Sequence, residues 1–214
     1  MTSDTPLLPP VGVLGGTFDP VHHGHLRLAI EVREALGLAE VRLLPSARTN
    51  LRDAAHASGA QRLALLGAAL VDGLVLDARE IERGGVSYTV DTLGALRAEA
   101  PQRPLCFILG ADAWNALPHW HRWQELLDYA HLVVASRPGA ELRRHPALDA
   151  AWTTRPADLQ ALPAGRVIAC AIPLLPISST DIRARIASGR SVAGLVPPGV
   201  ADLIAREGLY RAHP

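Results

Sequence analysis

His22, His23 and His25 crowd into four positions of the segment Gly15-Gly16-Thr17-Phe18-Asp19-Pro20-Val21-His22-His23-Gly24-His25. Residues of these types at this spacing suit the handling of phosphate. Two adjacent glycines let a backbone approach a bound anion closely, Pro20 stiffens the bend, and Gly24 removes bulk where a helix N-terminus offers unpaired N–H groups. His22 and His25 stand three residues apart, so on a helix both imidazoles lie on one face and can grip one phosphate chain. The bland alternative is a strand-to-helix turn that happens to carry histidines, and three in four positions weigh against it. Metal ligation is a poorer reading, because Asp19 alone adds little as a local ligand and no cysteine is near. Neither G-x-G-x-x-G nor G-x-x-x-x-G-K-[ST] is written here, so backbone amides and imidazoles must be the donors.

A second cluster lies late in the chain at Ile177-Ser178-Ser179-Thr180-Asp181-Ile182-Arg183. A Ser or Thr at a helix start commonly caps it, which accounts for one of the three hydroxyls. It does not account for three hydroxyls with an arginine one turn on. A guanidinium matches phosphate geometry, so Ser178, Ser179, Thr180 and Arg183 read as a second phosphate grip, and two helix N-termini would close on one polyphosphate.

Other candidates are less specific. Asp112 ends a predicted strand, where a carboxylate can accept from ribose hydroxyls or simply cap a helix. Pro118-His119-Trp120-His121-Arg122-Trp123 sets two indoles in a chain that is only 4% aromatic. One of them is expected in the core and the other flat against a planar ring. Ser87-Tyr88-Thr89 opens a helix whose amides suit a small carboxylate, although plain capping explains it as well. Arg137 follows an apolar strand as a surface charge or a phosphate contact.

The elements that must position these residues are legible in the hydrophobic pattern. Short apolar runs at 11–14, 41–44, 74–76, 105–109, 132–135 and 167–172 predict strands, and helical periodicity occupies 26–36, 61–71 and 89–98. Alternating strand and helix predicts an α/β fold, a doubly wound parallel sheet with helices on both faces, whose ligands bind beyond the C-terminal strand ends where strand order reverses. The loop after the first strand belongs there. Residues 48–59 and 138–165 read as irregular.

Bulk properties narrow the field. A chain of 214 residues, 49% hydrophobic, suggests one domain over 1–214, with a C-terminal helical segment from about 178 packed on it. Lys plus Arg and Asp plus Glu both number 21, which leaves no overall field for nucleic acid. Cys106 and Cys170, far apart inside apolar runs, read as buried thiols in a reducing compartment. No stretch suits a membrane span or a leader, so a cytoplasmic location is expected.

Taken together, these residues resemble the nucleotidylyltransferase superfamily, whose signatures are H-x-G-H after the first strand and I-S-S-T-x-x-R near the end. Within it the chain is similar to bacterial nicotinate-nucleotide adenylyltransferases. The resemblance is carried by Gly15 to His22, Ser87-Tyr88-Thr89-Val90-Asp91-Thr92-Leu93, Gly110-Ala111-Asp112 and Trp120-His121, and it runs from Val11 to Arg211. It implies a Rossmann-like nucleotidylyltransferase fold and transfer of AMP from ATP to nicotinate mononucleotide, with Mg2+ accompanying the ATP. His22, His25 and Arg183 would be the catalytic residues. Gly15, Thr17, Phe18, His22, His25, Ser178, Ser179, Thr180 and Arg183 would meet ATP, while Gly16, Thr17, Thr89, Asp112, Trp120, His121 and Arg137 would meet the mononucleotide. No protein-held metal is implied, and a homo-oligomer is compatible with the sequence. A nicotinamide-mononucleotide adenylyltransferase and a non-catalytic nucleotide-sensing module are the alternatives. The chain departs from the family at Thr49-Asn50-Leu51-Arg52, where Pro-Pro-His and a basic residue are usual, so that loop is assigned no role.

Overall fold

The computed structural model describes residues 8–48 and 55–211. The departure at Thr49-Asn50-Leu51-Arg52 lies outside the described residues. Seven strands form one sheet: β1 Val11–Gly16, β2 Glu40–Pro45, β3 Leu74–Leu76, β4 Leu105–Gly110, β5 His131–Ser136, β6 Trp152–Thr153 and β7 Val167–Ala171. They lie in the order β3-β2-β1-β4-β5-β7-β6, and every pairing is parallel. Order reverses between β1 and β4, where the crevice of a doubly wound sheet is expected.

The helices are α1 His23–Leu36, α2 Gly59–Gly67, α3 Arg79–Arg83, α4 Thr89–Glu99, α5 Ala111–Asn115, α6 Leu126–Tyr129, α7 Ala157–Ala161, α8 Ser179–Ala187 and α9 Pro198–Glu207. Alternate side chains of each strand divide between two cores, because successive residues of a strand point to opposite faces. Leu14, Leu43, Cys106, Ile108 and Val133 pack with Leu26, Val32, Leu65, Ile182 and Ile204 of α1, α2, α8 and α9. Val13, Leu44, Phe107, Leu109 and Val134 pack with Val90, Leu93, Trp114 and Leu126 of α4, α5 and α6. Helices therefore cover both faces. Gly12 is needed for the tight fit, since a Cβ there would sit 2.9 Å from Val41 Cγ2 and 3.0 Å from Leu38 Cδ1.

The predicted runs find their strands, with differences at the edges. The 61–71 periodicity overshoots: α2 begins earlier, under a capping box in which Ser58 and Gln61 satisfy each other's backbone N–H, and ends at Gly67. Leu70 and Val71 are left exposed as the chain turns toward β3. The irregular 138–165 stretch contains a 3-10 segment at Pro146–Ala151, the two-residue edge strand β6, and α7. The sequence reading did not single out α9, although Pro198 at its start and Gly208 in left-handed backbone at its end are the usual boundary signals.

Cys106 and Cys170 are buried and free, and burial pushes the Cys106 thiol up to about 12, far from nucleophilic. Among the described residues no helix is long and apolar enough to cross a membrane.

His131 on β5 is buried as a neutral ring. Its Nε2 lies 2.9 Å from the Leu162 carbonyl, which can only accept, and its Nδ1 accepts the Arg166 N–H at 3.1 Å. A second proton would set N–H against N–H, and burial pushes the group below its ordinary value. The unfolded chain therefore binds more protons than the folded one as pH falls below about 6.5, and stability drops with it. Equilibrium denaturation at pH 7.5 and 5.5 should show a loss at the lower pH that shrinks in His131→Gln, the remainder belonging to His22, whose pKa burial also pushes down. An unchanged pH dependence in that variant would assign the acid sensitivity elsewhere.

Candidate active site

The turn between β1 and α1 is built by close approach. A Cβ on Gly16 would lie 3.2 Å from the Phe18 ring, and Phe18 itself takes a φ of 50°, the left-handed region, with its ring 1% exposed. The Asp19–Pro20 peptide is cis. His22 then caps α1: its Nδ1 accepts the His25 N–H at 3.3 Å. The His22 and His25 rings stack at 3.7 Å with an interplanar angle of 21°, and His25 meets the Phe18 ring edge-on at 4.9 Å. Gly24 makes room for this stack, because a Cβ there would be 3.0 Å from His22 ring atoms.

The cap fixes the chemistry of His22. With Nδ1 accepting, the ring proton sits on Nε2, so the neutral imidazole is a donor. Burial first, and the neighbouring His23 second, push its pKa down to about 4; the side chain is 4% exposed. At neutral pH His22 therefore offers an N–H without a charge.

The second cluster docks on this turn, and each of its hydroxyls has a separate task. Ser178 Oγ caps α8 by accepting from the Asp181 N–H at 3.1 Å, Ser179 Oγ donates to the Pro20 carbonyl at 2.9 Å, and Thr180 Oγ1 accepts from Arg183 Nη2 at 3.3 Å. Arg183 Nη1 donates to the Asp19 carbonyl at 2.7 Å. Two regions more than 150 residues apart in sequence are thus one cluster.

Asp19 holds that cluster from beneath. It is 3% exposed, and its carboxylate accepts from the His56 N–H at 2.7 Å, the Ala57 N–H at 3.0 Å and the Tyr210 hydroxyl at 2.9 Å. Burial alone would raise its pKa. The two amides, the hydroxyl and the Arg183 charge together outweigh burial, and the carboxyl stays below its ordinary value. Arg62, 2% exposed, completes the support: Nη1 donates to the Thr17 carbonyl at 2.9 Å and the Ser46 carbonyl at 2.7 Å, and Nη2 to the Ala47 carbonyl at 3.4 Å.

Beside the turn a cavity of about 880 Å³ opens across the β1–β4 crevice. Gly15, Gly16, Thr17, His25, Thr89, Asp112, Trp120, His121 and Arg137 all line it. A smaller cavity of about 340 Å³ adjoins it and is lined by Gly24, Arg137 and Ser178 among others. Phe18 has its ring in the core, so only its backbone faces the turn. Thr89 starts α4, and Tyr88 before it makes no side-chain cap bond, so capping does not explain the Ser87-Tyr88-Thr89 segment. Asp112 is no cap either, since Gly110 holds that position of α5.

The expectation that Trp120 or Trp123 is a core indole is corrected. Both are half-buried, and the fully buried indole is Trp114, whose Nε1 donates to the Arg143 carbonyl at 2.8 Å. The reason lies in the sheet: Trp114 follows β4 directly on α5, whereas Trp120 comes after a further turn, at the cavity wall, with its ring edge-on to Phe107 at 6.2 Å.

Sequence reasoning missed Asp19, Arg62 and Tyr210 as supports, and also Glu80, a buried carboxylate on the cavity wall that accepts from Thr92 Oγ1 at 2.7 Å. One signal was available. Arg62 shares the inward stripe of α2 with Leu65 and Leu66, and a charge on such a stripe is a buried charge. Asp19 and Tyr210 carried no comparable mark.

The cytidylyltransferase-like family model matches residues 13–185. A protein of Aeromonas hydrophila named "Probable nicotinate-nucleotide adenylyltransferase" is 50% identical over 213 residues, covering 96% of this chain and 99% of that protein. One of the same name from Methylococcus capsulatus is 46% identical over 208 residues, covering 94% and 99%. Among solved structures, Plasmodium falciparum nicotinic acid mononucleotide adenylyltransferase complexed with NaAD superposes with a TM-score of 0.72 at 16% identity, covering 95% of this chain and 98% of that one; this likeness speaks for the fold. With both signature clusters joined at one crevice and relatives of this similarity over nearly its full length, the chain belongs to the cytidylyltransferase-like family and, within it, to the nicotinate-nucleotide adenylyltransferases.

Proposed function

We propose that this site moves AMP from ATP to nicotinate mononucleotide, giving nicotinate adenine dinucleotide and pyrophosphate, with His22, His25 and Arg183 as the catalytic residues. The observation that carries the assignment is the Arg183 bond to the Asp19 carbonyl at 2.7 Å, which brings a guanidinium to the turn that holds both imidazoles. A phosphate oxygen of the mononucleotide attacks the α-phosphorus of ATP. The bond to the bridging oxygen breaks, and pyrophosphate leaves with the electron pair. The attacking group is already ionised at neutral pH, so no base is needed, and catalysis is positioning plus charge stabilisation.

His22 Nε2 and His25 donate toward the α-phosphate and the bridging oxygen, joined by the Gly15 to Phe18 backbone. Arg183 and the start of α8 at Ser178, Ser179 and Thr180 take the leaving phosphates. The nicotinate ring lies against Trp120, its carboxylate on the amides of Thr89 and His121, and its ribose at Asp112. Gly16 and Thr17 face the mononucleotide phosphate, and Arg137 stands where the two cavities meet.

Mg2+ fits this donor set as an ion carried by the triphosphate. The Asp19 carboxylate is engaged by His56, Ala57 and Tyr210, and among the described residues no three His, Cys, Asp or Glu side chains group as ligands. When bound, the ion would supply neutralisation of the triphosphate's charge.

Pyrophosphate release from ATP with each mononucleotide tests the assignment. Faster turnover of nicotinate mononucleotide is expected; preference for the amide would make the chain a nicotinamide-mononucleotide adenylyltransferase, and no turnover with either would make it a sensing module. Trp120→Ala should raise KM for the mononucleotide about tenfold, the worth of one stacked ring and its buried area, and leave KM for ATP nearly unchanged. Equal changes in both would remove Trp120 from the ring site.

A further inference from the structure

We infer that Tyr210, at the far end of the chain, is a positioning residue for the phosphate grip, acting through Asp19 on Arg183. The inference rests on the role given to Arg183 above. Asp19 presents two faces to that guanidinium: its carbonyl accepts from Nη1 at 2.7 Å, and its carboxylate Oδ2 lies 3.9 Å from the same nitrogen. The main chain fixes the first contact, and the orientation of the carboxylate sets the second.

Three residues hold that orientation, and they arrive from two distant parts of the chain. The His56 and Ala57 amides come from the segment entering α2, and the Tyr210 hydroxyl from beyond α9, 191 residues away in sequence. The amides are fixed by backbone. The hydroxyl is the buried side-chain partner, at 2.9 Å from Oδ1; the other side-chain contact is the exposed His56 ring, whose Nδ1 lies 3.3 Å from Oδ2. Getting it there requires unusual backbone: after α9 the chain takes left-handed geometry at Gly208, φ 63°, and again at Tyr210, φ 64°, a conformation an L side chain rarely adopts. The fold tolerates that cost and turns the ring back onto the catalytic turn. Burial and the Asp19 charge keep the hydroxyl protonated, so it stays a donor. Arg183 is steadied from its other side by Thr180 Oγ1 at 3.3 Å, leaving the Asp19 side as the one that depends on Tyr210.

Tyr210→Phe keeps the ring and deletes the hydroxyl. Steady-state kinetics with ATP and nicotinate mononucleotide should show kcat reduced about tenfold through misplacement of the grip, and KM for the mononucleotide within about twofold of wild type. A thermal melt on the same samples reports the bond's share of stability separately. In a double-mutant cycle the effect of Tyr210→Phe on kcat should shrink to less than about threefold when Arg183 is already lysine, because the group it positions is gone. A lowered Tm with kcat unchanged makes the bond structural only and overturns the inference, as do additive effects in the cycle. If Arg183→Lys alone leaves kcat intact, the role of Arg183 fails and takes the inference with it. If Arg183→Lys is impaired and Tyr210→Phe is not, only the inference fails.

Discussion

His22→Ala should lower kcat by about 10²–10³, the usual consequence of removing one donor aimed at charge developing in a transition state. The same substitution deletes the N-cap of α1, because Nδ1 accepts the His25 N–H at 3.3 Å, and a lost cap costs about 1 kcal/mol. His22→Asn separates the two effects. Asparagine is among the best N-caps, so its Tm should return toward wild type while kcat stays low. Near-normal turnover in the alanine variant would take His22 out of the mechanism. The low pKa of about 4 adds a second expectation. His22 remains a neutral donor throughout the ordinary assay range, so its titration should leave no inflection in kcat near pH 6.5. An inflection there that vanishes in His22→Asn would show a charged imidazole at work instead.

Arg62→Met should cost about 3–5 kcal/mol, the scale seen when one member of a buried charged network is removed. Methionine fills the volume and stays apolar, yet the Thr17, Ser46 and Ala47 carbonyls lose their donor and Asp19 loses a nearby positive charge. For a chain of this size the corresponding fall in Tm is about 10 °C. Activity should fall as well, well below the melting temperature, because the Thr17 carbonyl belongs to the phosphate turn. Arg62→Lys should recover only part of the stability, since a single ammonium cannot reach three carbonyls as a planar fork does. A Tm within about 2 °C of wild type for the methionine variant, about a fifth of the expected fall, would mean that these carbonyls find other donors.

Much of the fold was legible because burial leaves a period. The six apolar runs became β1, β2, β3, β4, β5 and β7, and the 26–36 and 89–98 stripes became α1 and α4. Most elements that escaped are too short to show a period: α3 and α7 have five residues each, and β6 has two; α9 is the exception, ten residues long with its boundary signals in place. The indole at 114 was missed for a related reason. Pattern marks a face as apolar, and the depth of a given side chain depends on what lies above it, here Trp152 packed edge-on at 5.5 Å.

The candidate site divides in the same way. Its ligand-facing groups are short, dense motifs, because amides at a helix start, a glycine pair and an i, i+3 pair of imidazoles must be near neighbours in sequence to work together. His22, His25, Ser178, Thr180 and Arg183 could therefore be singled out by spacing. Their supports are single residues drawn from anywhere that the fold brings close: Arg62 from α2, His56 and Ala57 from the segment before it, Tyr210 from beyond α9.

By itself the sequence determined which chemistry is on offer and which elements carry it, since both are local properties of residue type and period. Only the tertiary structure decided that Arg183 meets the histidine turn at the Asp19 carbonyl, that Asp19 and Arg62 are buried charges and that Trp114 is the core indole. The reason is physical. A buried charge, or a bond across 164 residues, is stabilised by neighbours that chain closure alone brings together, and nothing in local spacing records them.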